Sequence, residues 1–394
     1  MHRRQLLKIF SAFPLSFSTG HLLSAPASPG KLLLVFLRGG YDAANLLVPV
    51  NSDFYYESRP NIAIARPSID INSAISLSSD WALHPVLRKT IYPLYMEKQA
   101  IFIPFAGTND LSRSHFETQD NIELGQENDM RRNLHSGFLN RLAAVLNGVA
   151  PMSFTDQLPL IFQGNANVPN TALRNIAKPA LDARQAKIIS SMYKNTEFSR
   201  QINEGFSVQD EVTQEIAKEM KAASRNAINA KGFELDARRV ARMMREKYNL
   251  GFIDIGGWDT HIGQGGATGY LANRLDELGR GFAAMAHELG SDWRNTVVVV
   301  VSEFGRTFRE NGNHGTDHGH GTVFWVLGGS VRGGEVRGEQ VQVNAKSLFQ
   351  NRDYPVLNEY RAVLAGLFLK LYGLNSSQLN TIFPGVQPKQ LDLI

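Results

Sequence analysis

Seven carboxylate and imidazole side chains stand shortly after apolar segments of this chain, where they could bind metal ions. They occur as single acids and in Asp-x-His and Asp-His-x-His patterns, at Asp42, Asp259, His261, Glu303, Asp317, His318 and His320. Oxygen and imidazole groups of this kind bind zinc and harder divalent cations. Two such cations would suit displacement at a tetrahedral ester, because one activates a hydroxyl or water while the other takes charge on the leaving oxygen.

The apolar segments before these residues have the composition of buried strands. Residues 297–301 are all valine, and residues 31–37 and 251–255 are mostly apolar. The carboxyl ends of parallel strands lie at one edge of a sheet, and ligands of open α/β sheets bind there. The seven side chains are therefore expected to meet at this edge, where they either bind metal or form hydrogen-bonded loops.

The remaining sequence supplies the other layers of an α/β fold. Apolar residues recur at helical spacing and predict a helix over about 270–289, which makes a βαβ unit of the two strands that flank it. Charged, Ala-rich sequence predicts an α-helical insertion at about 165–250. The sequence therefore predicts a mostly parallel sheet with helices and one helical insertion.

A serine and three arginines near these segments could act on an anionic ester. Ser114 is followed by Glu117, which fits a capping box, and a serine at a helix N-terminus could also attack a phosphate or sulfate held there. Arg38, Arg113 and Arg306 each adjoin a candidate residue and could clamp a tetrahedral oxyanion in bidentate fashion. The alternative for each arginine is a solvated position on the surface.

The first 27 residues have the pattern of an export signal. Arg3, Arg4 and Lys8 precede an apolar run at 9–23 and a small-residue Ala-Pro-Ala segment. The adjacent arginines resemble the twin-arginine signal, which predicts a periplasmic or otherwise exported protein. The alternative, a membrane anchor, is disfavoured because the run is short and interrupted. Residues 28–394 are then expected to form the α/β domain, with no membrane span after signal removal.

Composition excludes several other classes of protein. The chain has 394 residues and no cysteine, so disulfides and thiolate metal sites are excluded. The net charge of +4 falls by three to +1 without the signal, whose basic residues have no acidic neighbours. No stripe of basic and aromatic residues indicates nucleic-acid binding.

Five motifs resemble a functionally uncharacterised family of exported bacterial proteins with twin-arginine signals, within the alkaline phosphatase/sulfatase superfamily. They are Phe-Leu-Arg-Gly-Gly-Tyr-Asp at 36–42, Arg-Ser-His-Phe at 113–116, Gly-Trp-Asp-Thr-His at 257–261, Ser-Glu-Phe-Gly-Arg-Thr at 302–307 and Thr-Asp-His-Gly-His-Gly at 316–321. The likeness covers nearly the whole mature chain. It implies a doubly wound, alkaline-phosphatase-like α/β core with a two-metal site.

The resemblance also implies roles for individual residues. One metal would be held beside the nucleophile by residues that correspond to Asp42, Asp317, His318 and Ser114. The second metal would be held by Asp259, His261 and His320. Glu303 would be a ligand or an acceptor behind the ligands. The spacing departs from the wider Asp-to-His gap of the superfamily, so the division of ligands between the two metals stays open.

The function expected from these residues is hydrolysis of phosphate or sulfate esters, free or carried on a polymer, with Ser114 as nucleophile. No pentapeptide of the formylglycine sulfatases occurs, which favours phosphate esters. The expected cofactors are two divalent metal ions, zinc first, with manganese or calcium as alternatives. The competing hypothesis is a non-catalytic binding or cell-surface assembly protein that uses metal for stability.

Overall fold

The computed structural model of the chain describes residues 30–126, 132–173, 183–196, 198–200, 202–203, 205–207 and 232–394. The predicted signal at 1–27 lies outside the described residues. Part of the predicted helical insertion, including residues 208–231, also lies outside them. The fold is therefore described for the domain that carries the candidate site.

The described chain contains both strands and helices. The strands are β1 Lys31–Leu37, β2 Leu47–Val48, β3 Ile75–Ser76, β4 Ala82–Leu83, β5 Ala100–Gly107, β6 Pro151–Ser153, β7 Leu250–Ile255, β8 Thr296–Ser302, β9 Thr322–Leu327, β10 Glu335–Val336 and β11 Asn358–Glu359. The helices are α1 Ala43–Leu46, α2 Asp53–Ser58, α3 Ile91–Met96, α4 His115–Leu124, α5 Phe138–Val145, α6 Ala183–Met192, α7 Phe233–Glu246, α8 Tyr270–Leu289, α9 Tyr360–Tyr372 and α10 Ser376–Ile382. Short 3-10 helices occur at Pro85–Lys89, Leu160–Phe162 and Gly290–Asn295.

The centre of the fold is an eight-stranded sheet of order β10-β5-β9-β8-β1-β7-β6, with β11 also paired to β5. Strand β1 pairs in parallel with β7 and β8, and β6 pairs in parallel with β7. Strand β9 is antiparallel to both of its neighbours, β5 and β8. A small antiparallel sheet holds β2, β4 and β3. The protein is thus a mixed α/β fold with a largely parallel central sheet.

Both faces of the central sheet are covered, which explains the unbroken apolar runs in its strands. Alternate residues of β1 enter two separate cores, because successive side chains of a strand point to opposite faces. One core contains Leu33 and Val35 together with residues of α7 and α8. The other contains Leu34 and Phe36 together with residues of α5, α9 and α10. Each such side chain contributes about 1.5–3 kcal/mol on full burial.

Helix α8 spans Tyr270–Leu289, as the sequence predicts. Its apolar residues at helical spacing are all buried: Leu271, Leu275, Leu278, Phe282 and Met285. This face packs against α7 and the sheet, and the helix ends at Gly290, whose φ of 54° is accessible to glycine. Within the described part of the chain, no helix combines the length and apolar character that a membrane crossing requires.

Candidate metal centre

Five strands present their chemistry-bearing loops at one edge of the sheet. Strands β1, β7 and β8 end there, and β9 begins there because it runs in the opposite direction. Strand β5 is antiparallel to β9, so its carboxyl end lies at the same edge and leads to α4. The segments after β1, β5, β7 and β8 and before β9 are therefore neighbours in space, although they are far apart in the sequence.

The loops after β1 and β7 touch each other at a glycine. Gly39 has a φ of 125°, and a Cβ at this position would lie 2.7 Å from the backbone nitrogen of Asp259. The N–H of Gly39 donates to Oε1 of Glu303 at 2.7 Å. A larger residue would separate the strand ends, so the Gly39–Gly40 turn brings Asp259 and Glu303 together.

His115, the first residue of α4, is oriented by the buried carboxylate of Glu303. Its Nδ1 lies 2.8 Å from Oε1 of Glu303, which also accepts from Nε2 of Gln119 at 2.7 Å. Burial opposes ionisation of Glu303, but the hydrogen bonds from His115 and Gln119 lower its pKa, so the carboxylate only accepts. Nδ1 of His115 therefore carries a proton, and the bond to Glu303 raises the pKa of this histidine.

His318 and His261 are oriented in the same way by other oxygen atoms. Nδ1 of His318 lies 3.0 Å from the carbonyl oxygen of Arg113, which can only accept. Nδ1 of His261 lies 3.1 Å from Oδ1 of Asp317. Burial opposes ionisation of Asp317, but its hydrogen bonds from Asn311 and His261 lower its pKa. All three imidazoles thus direct Nε2, their second ring nitrogen, away from these partners.

The three Nε2 atoms converge on Asp259. Oδ1 of Asp259 lies 2.9 Å from Nε2 of His261 and 3.3 Å from Nε2 of His318, and Oδ2 lies 3.5 Å from Nε2 of His115. The two Nε2 atoms of His261 and His318 are 3.1 Å apart. Nε2 of His115 is buried without a hydrogen-bond partner. Among the described residues, His115, Asp259 and His318 form a group whose ligand atoms lie within 4.8 Å of one another.

The spacing of these atoms fits a bound cation. Bonds of about 2.0–2.1 Å in a tetrahedral site put neighbouring ligand atoms roughly 3.3 Å apart. The separations that join Asp259, His261 and His318 are 2.9, 3.1 and 3.3 Å. Where each of three imidazole nitrogens presents a lone pair to one carboxylate, these groups repel one another unless a proton or a metal ion lies between them. Carboxylate and imidazole groups therefore surround a position where positive charge is required.

Arg306 supplies a fixed positive charge behind Asp259. Its guanidinium is fully buried and donates from Nη1 to Oδ1 of Asp259 at 2.5 Å. Nε and Nη2 donate to the hydroxyl and carbonyl of Thr316. Partial burial opposes ionisation of Asp259, but Arg306 outweighs it and lowers the pKa of this carboxyl. Side chains of Asp259 and His261 are about two-fifths exposed, at 42% and 39%, so the group is open to solvent.

Asp42, predicted as a ligand, is held elsewhere. Nη1 and Nη2 of Arg59 donate to the two carboxylate oxygens of Asp42 at 2.5 and 3.0 Å, and Gln264 donates to Oδ2 at 2.6 Å. The Asp42 and Arg59 side chains are 1% and 0% exposed. Because this guanidinium fork occupies the carboxylate, the structure places Asp42 behind the site. Oε1 of Gln264 accepts from Thr316, which links the pair to Arg306.

His320 and Ser114 also lie outside the group of ligand atoms. The backbone bends at His320, and its ring packs 5.0 Å from that of Phe349. Burial and the charge of Arg113 lower the pKa of His320 to about 4, so this imidazole is neutral. Ser114 caps α4 by accepting from the N–H of Glu117 at 3.5 Å. In the described part of the chain, no hydrogen bond joins the Ser114 hydroxyl to the histidines.

The two other predicted arginines are paired with carboxylates of the protein. Arg38 donates to Asp254, Glu123 and Gln119 at 2.5, 2.7 and 2.8 Å. Arg113 donates to Asp353 at 2.8 and 3.0 Å. Arg38 therefore joins β7 to α4, Arg113 binds the loop that carries Asp353, and neither points a free guanidinium at the group.

Sequence analysis did not select His115 or Gln119. His115 stands inside the Arg-Ser-His-Phe motif at 113–116, where only Arg113 and Ser114 are assigned roles from the sequence. The available signal was its position: it is an imidazole at the first turn of a helix that follows a central strand. Asp259, His261, Glu303, Asp317 and His318 are brought together as the strand ends predicted, with Glu303 and Asp317 behind the imidazoles.

Comparisons with known proteins give a family and a distant structural likeness. The family model described as "Protein of unknown function (DUF1501)" matches residues 30–383. No curated protein sequence matches the chain. A crystal structure of Ps i-CgsB in complex with k-i-k-neocarrahexaose has 9% sequence identity and a TM-score of 0.36, over 89% of this chain and 74% of that chain. A second structure of Ps i-CgsB has 10% identity and a TM-score of 0.38, over 91% and 75%.

Proposed function

Because this chain belongs to the DUF1501 family, which is defined as one of unknown function, we propose a function from its site: a metal-dependent hydrolase of phosphate or sulfate esters. The proposal includes an alkaline-phosphatase-like arrangement of the α/β core and export by the twin-arginine route. Its substrate would be a small or polymer-borne ester. Zinc suits the donor set best, since three imidazoles and a carboxylate are typical zinc ligands.

The convergence of three imidazole Nε2 atoms on Asp259 carries the proposal. Each imidazole donates its Nδ1–H to an oxygen, and these acceptors are Glu303, Asp317 and the Arg113 carbonyl. The same pairing of metal-binding histidines with carboxylate or carbonyl acceptors fixes the tautomer and ring orientation in metal proteins. Hydrogen-bonded loop structure alone does not require three Nε2 atoms to face one carboxylate.

The chain's own groups have separate parts in the proposed reaction. Ser114 lies next to His115 at the N-terminus of a ten-residue helix, where backbone N–H groups favour a bound anion. Its Oγ would attack phosphorus or sulfur, the bond to the ester oxygen would break, and water would then hydrolyse the serine ester. A bound cation would stabilise the charge that develops on the oxygens. Arg306 lowers the pKa of Asp259 against the effect of burial and would favour its ionised form in this reaction.

The described residues offer one candidate group for a metal ion, which bears on the expected number of ions. Sequence analysis predicts two cations, whereas the described part of the chain contains one group of three converging donors, at His115, Asp259 and His318. Elemental analysis of protein purified without chelator is therefore expected to give one equivalent of zinc. Two equivalents would support the original two-metal assignment, with Asp42 and His320 as the first candidates for the second site.

A specific observation favours the competing function, a metal-stabilised binding protein without turnover. The predicted oxyanion clamps Arg38 and Arg113 are both engaged by carboxylates, and Ser114 has the bond expected of a helix cap. A site of this kind would hold metal without binding an anionic ester. The two functions differ in catalysis, and both require the metal.

The test measures metal binding and turnover separately. Purified mature chain, His318→Ala and Ser114→Ala would be assayed for zinc content and for hydrolysis of p-nitrophenyl phosphate, bis(p-nitrophenyl) phosphate and p-nitrophenyl sulfate. His314→Ala is the matched control, since this histidine is in the same loop but 63% exposed and outside the group. We expect His318→Ala to lose zinc and turnover, and Ser114→Ala to keep zinc and lose turnover.

Three results would decide against parts of this proposal. Wild-type protein that binds no zinc would overturn the metal site. Zinc binding without hydrolysis of any of the three esters would overturn the hydrolase and favour the binding protein. Full turnover in Ser114→Ala would remove the serine nucleophile and leave water as the attacking group.

A further inference from the structure

A buried carboxylate outside every predicted motif lies behind His318. Asp353 is fully buried and accepts from Nε and Nη2 of Arg113 at 3.0 and 2.8 Å. It also accepts from Nη1 of Arg352, at 3.1 Å on Oδ1 and 3.0 Å on Oδ2. One buried carboxylate thus binds two partly exposed guanidinium groups.

Both arginines contact His318 by a second atom. The carbonyl oxygen of Arg113 accepts from Nδ1 of His318 at 3.0 Å. Nη2 of Arg352 donates to the carbonyl oxygen of His318 at 2.8 Å. The imidazole and the backbone of one metal-binding candidate are therefore fixed through residues that share Asp353. Asp353 itself touches no atom of His318 that could bind metal.

The backbone around this contact is held in an unfavourable conformation. Arg113 has a φ of 51°, and Gln350 and Asn351 have φ values of 53° and 52°. Such left-handed conformations persist in larger residues only where surrounding contacts impose them. The side chain of Arg113 links this segment to its own, because it binds Gln350 at 2.8 Å in addition to Asp353. Loss of the bonds to Asp353 would therefore release the peptide whose carbonyl orients His318.

We propose that Asp353 is a positioning residue for the candidate metal centre, because it holds the side chain of Arg113, and the carbonyl of Arg113 fixes the His318 tautomer. The expected effect of Asp353 on zinc affinity rests on the proposed metal site. Its expected effect on the tautomer of His318 does not depend on metal. Asparagine at this position keeps the shape and loses the charge. Asparagine cannot balance the positive charge of two guanidinium groups, so the hydrogen bonds of Arg113 and Arg352 at this position would weaken.

The experiment compares Asp353→Asn with a matched control, Glu288→Gln. Glu288 also joins two arginines, Arg238 at 3.0 Å and Arg242 at 3.2 Å, but it lies on α8 away from the group. Long-range 1H–15N correlation spectra of the metal-free proteins at pH 8 distinguish the Nδ1–H from the Nε2–H tautomer of each histidine. Competition with a chelating dye gives the zinc dissociation constant.

We expect His318 to be the Nδ1–H tautomer in wild type and in Glu288→Gln, and a mixture of tautomers in Asp353→Asn. The zinc dissociation constant of Asp353→Asn should rise by about 10- to 100-fold, the usual effect of losing a residue behind a metal ligand. A folded Asp353→Asn protein with an unchanged His318 spectrum would overturn the inference.

Two further arms keep the result decisive. If wild-type protein binds no zinc, the proposed function fails. The tautomer spectra still test whether Asp353 positions His318. If Asp353→Asn does not fold, Arg352→Gln removes the contact with the His318 carbonyl from a side chain that is 39% exposed. Arg352→Gln should then weaken zinc binding in the same direction, and an unchanged zinc affinity would count against the network.

Discussion

Glu303→Gln should weaken metal binding strongly while it leaves the fold largely intact. Oε1 of Glu303 accepts three hydrogen bonds, from Gly39, His115 and Gln119, at 2.7 to 2.8 Å. Ser302 Oγ lies 3.0 Å from Oε2 and 2.6 Å from the carbonyl oxygen of Leu37. A glutamine fits this environment, because its oxygen can take the Oε1 position and its amide can donate to the Ser302 hydroxyl.

The size of the effect follows from the lost charge. Hydrogen bonds to charged groups contribute about 1.5–3 kcal/mol, and bonds between neutral groups about 0.5–1.5 kcal/mol. His115 therefore keeps a weaker Nδ1 partner and becomes a poorer and less fixed ligand. Replacement of a group behind a metal ligand costs about 10- to 100-fold in affinity, which is about 1.4–2.7 kcal/mol. The raised pKa of His115, caused first by this hydrogen bond, should also fall in the variant.

The assay is a zinc titration against a chelating dye, with the His115 pKa followed by NMR in metal-free protein. Glu310→Gln is the control, because Glu310 likewise accepts from three donors of Asn61 and Ile62 but makes no ion pair or hydrogen bond with His115, His261 or His318. Urea denaturation of both metal-free variants would confirm that each is folded. The reasoning is refuted if Glu303→Gln binds zinc within about twofold of Glu310→Gln while its His115 pKa is unchanged.

Three further outcomes are expected. Asp42→Asn should lower the unfolding free energy in urea by about 3–5 kcal/mol, because it leaves buried Arg59 without its counter-charge. It should change zinc affinity less than threefold. If Asp42 were a metal ligand, the loss of zinc affinity would be large and the loss of stability small. Burial lowers the pKa of His84 to about 4 from 6.5, so the unfolded state takes up a proton first and stability falls as the pH drops from about 6.5 to 4. The loss should reach about 3 kcal/mol and be smaller in His84→Gln when urea midpoints are compared across this range. Zinc binding at pH 6 should release protons, because His115 has a raised pKa and must lose a proton to bind metal. Calorimetry in two buffers of different ionisation enthalpy would measure this release. Equal heats of binding in both buffers would contradict the expectation.

The sequence alone identified the strands that build the site. The apolar segments at 31–37, 251–255 and 297–301 form adjacent parallel strands, as their composition predicts. Burial on both faces requires such runs, so the pattern is strong. Because the polar residues stand where these strands end, the sequence also brought Asp259, His261, Glu303 and His318 to one edge. The position of these residues at one edge depends on the order and direction of the strands, which the continuous apolar runs indicate well.

Only the tertiary structure decided which atom each side chain presents. Asp42 follows a central strand as Asp259 does, yet Arg59, seventeen residues later, takes its carboxylate. His318 and His320 are two residues apart, but a bend in the backbone separates their rings.

The role of each carboxylate was likewise decided in three dimensions. Glu303 and Asp317 bind the Nδ1 side of an imidazole, whereas Asp259 faces the Nε2 side. His115 belongs to the group because α4 begins beside the other ligand atoms. Asp353 binds Arg113, next to this group, from a loop with no recognisable motif. Side-chain direction and competition between neighbouring partners depend on local torsions and on contacts between distant segments, and neither is encoded in the spacing of residue types.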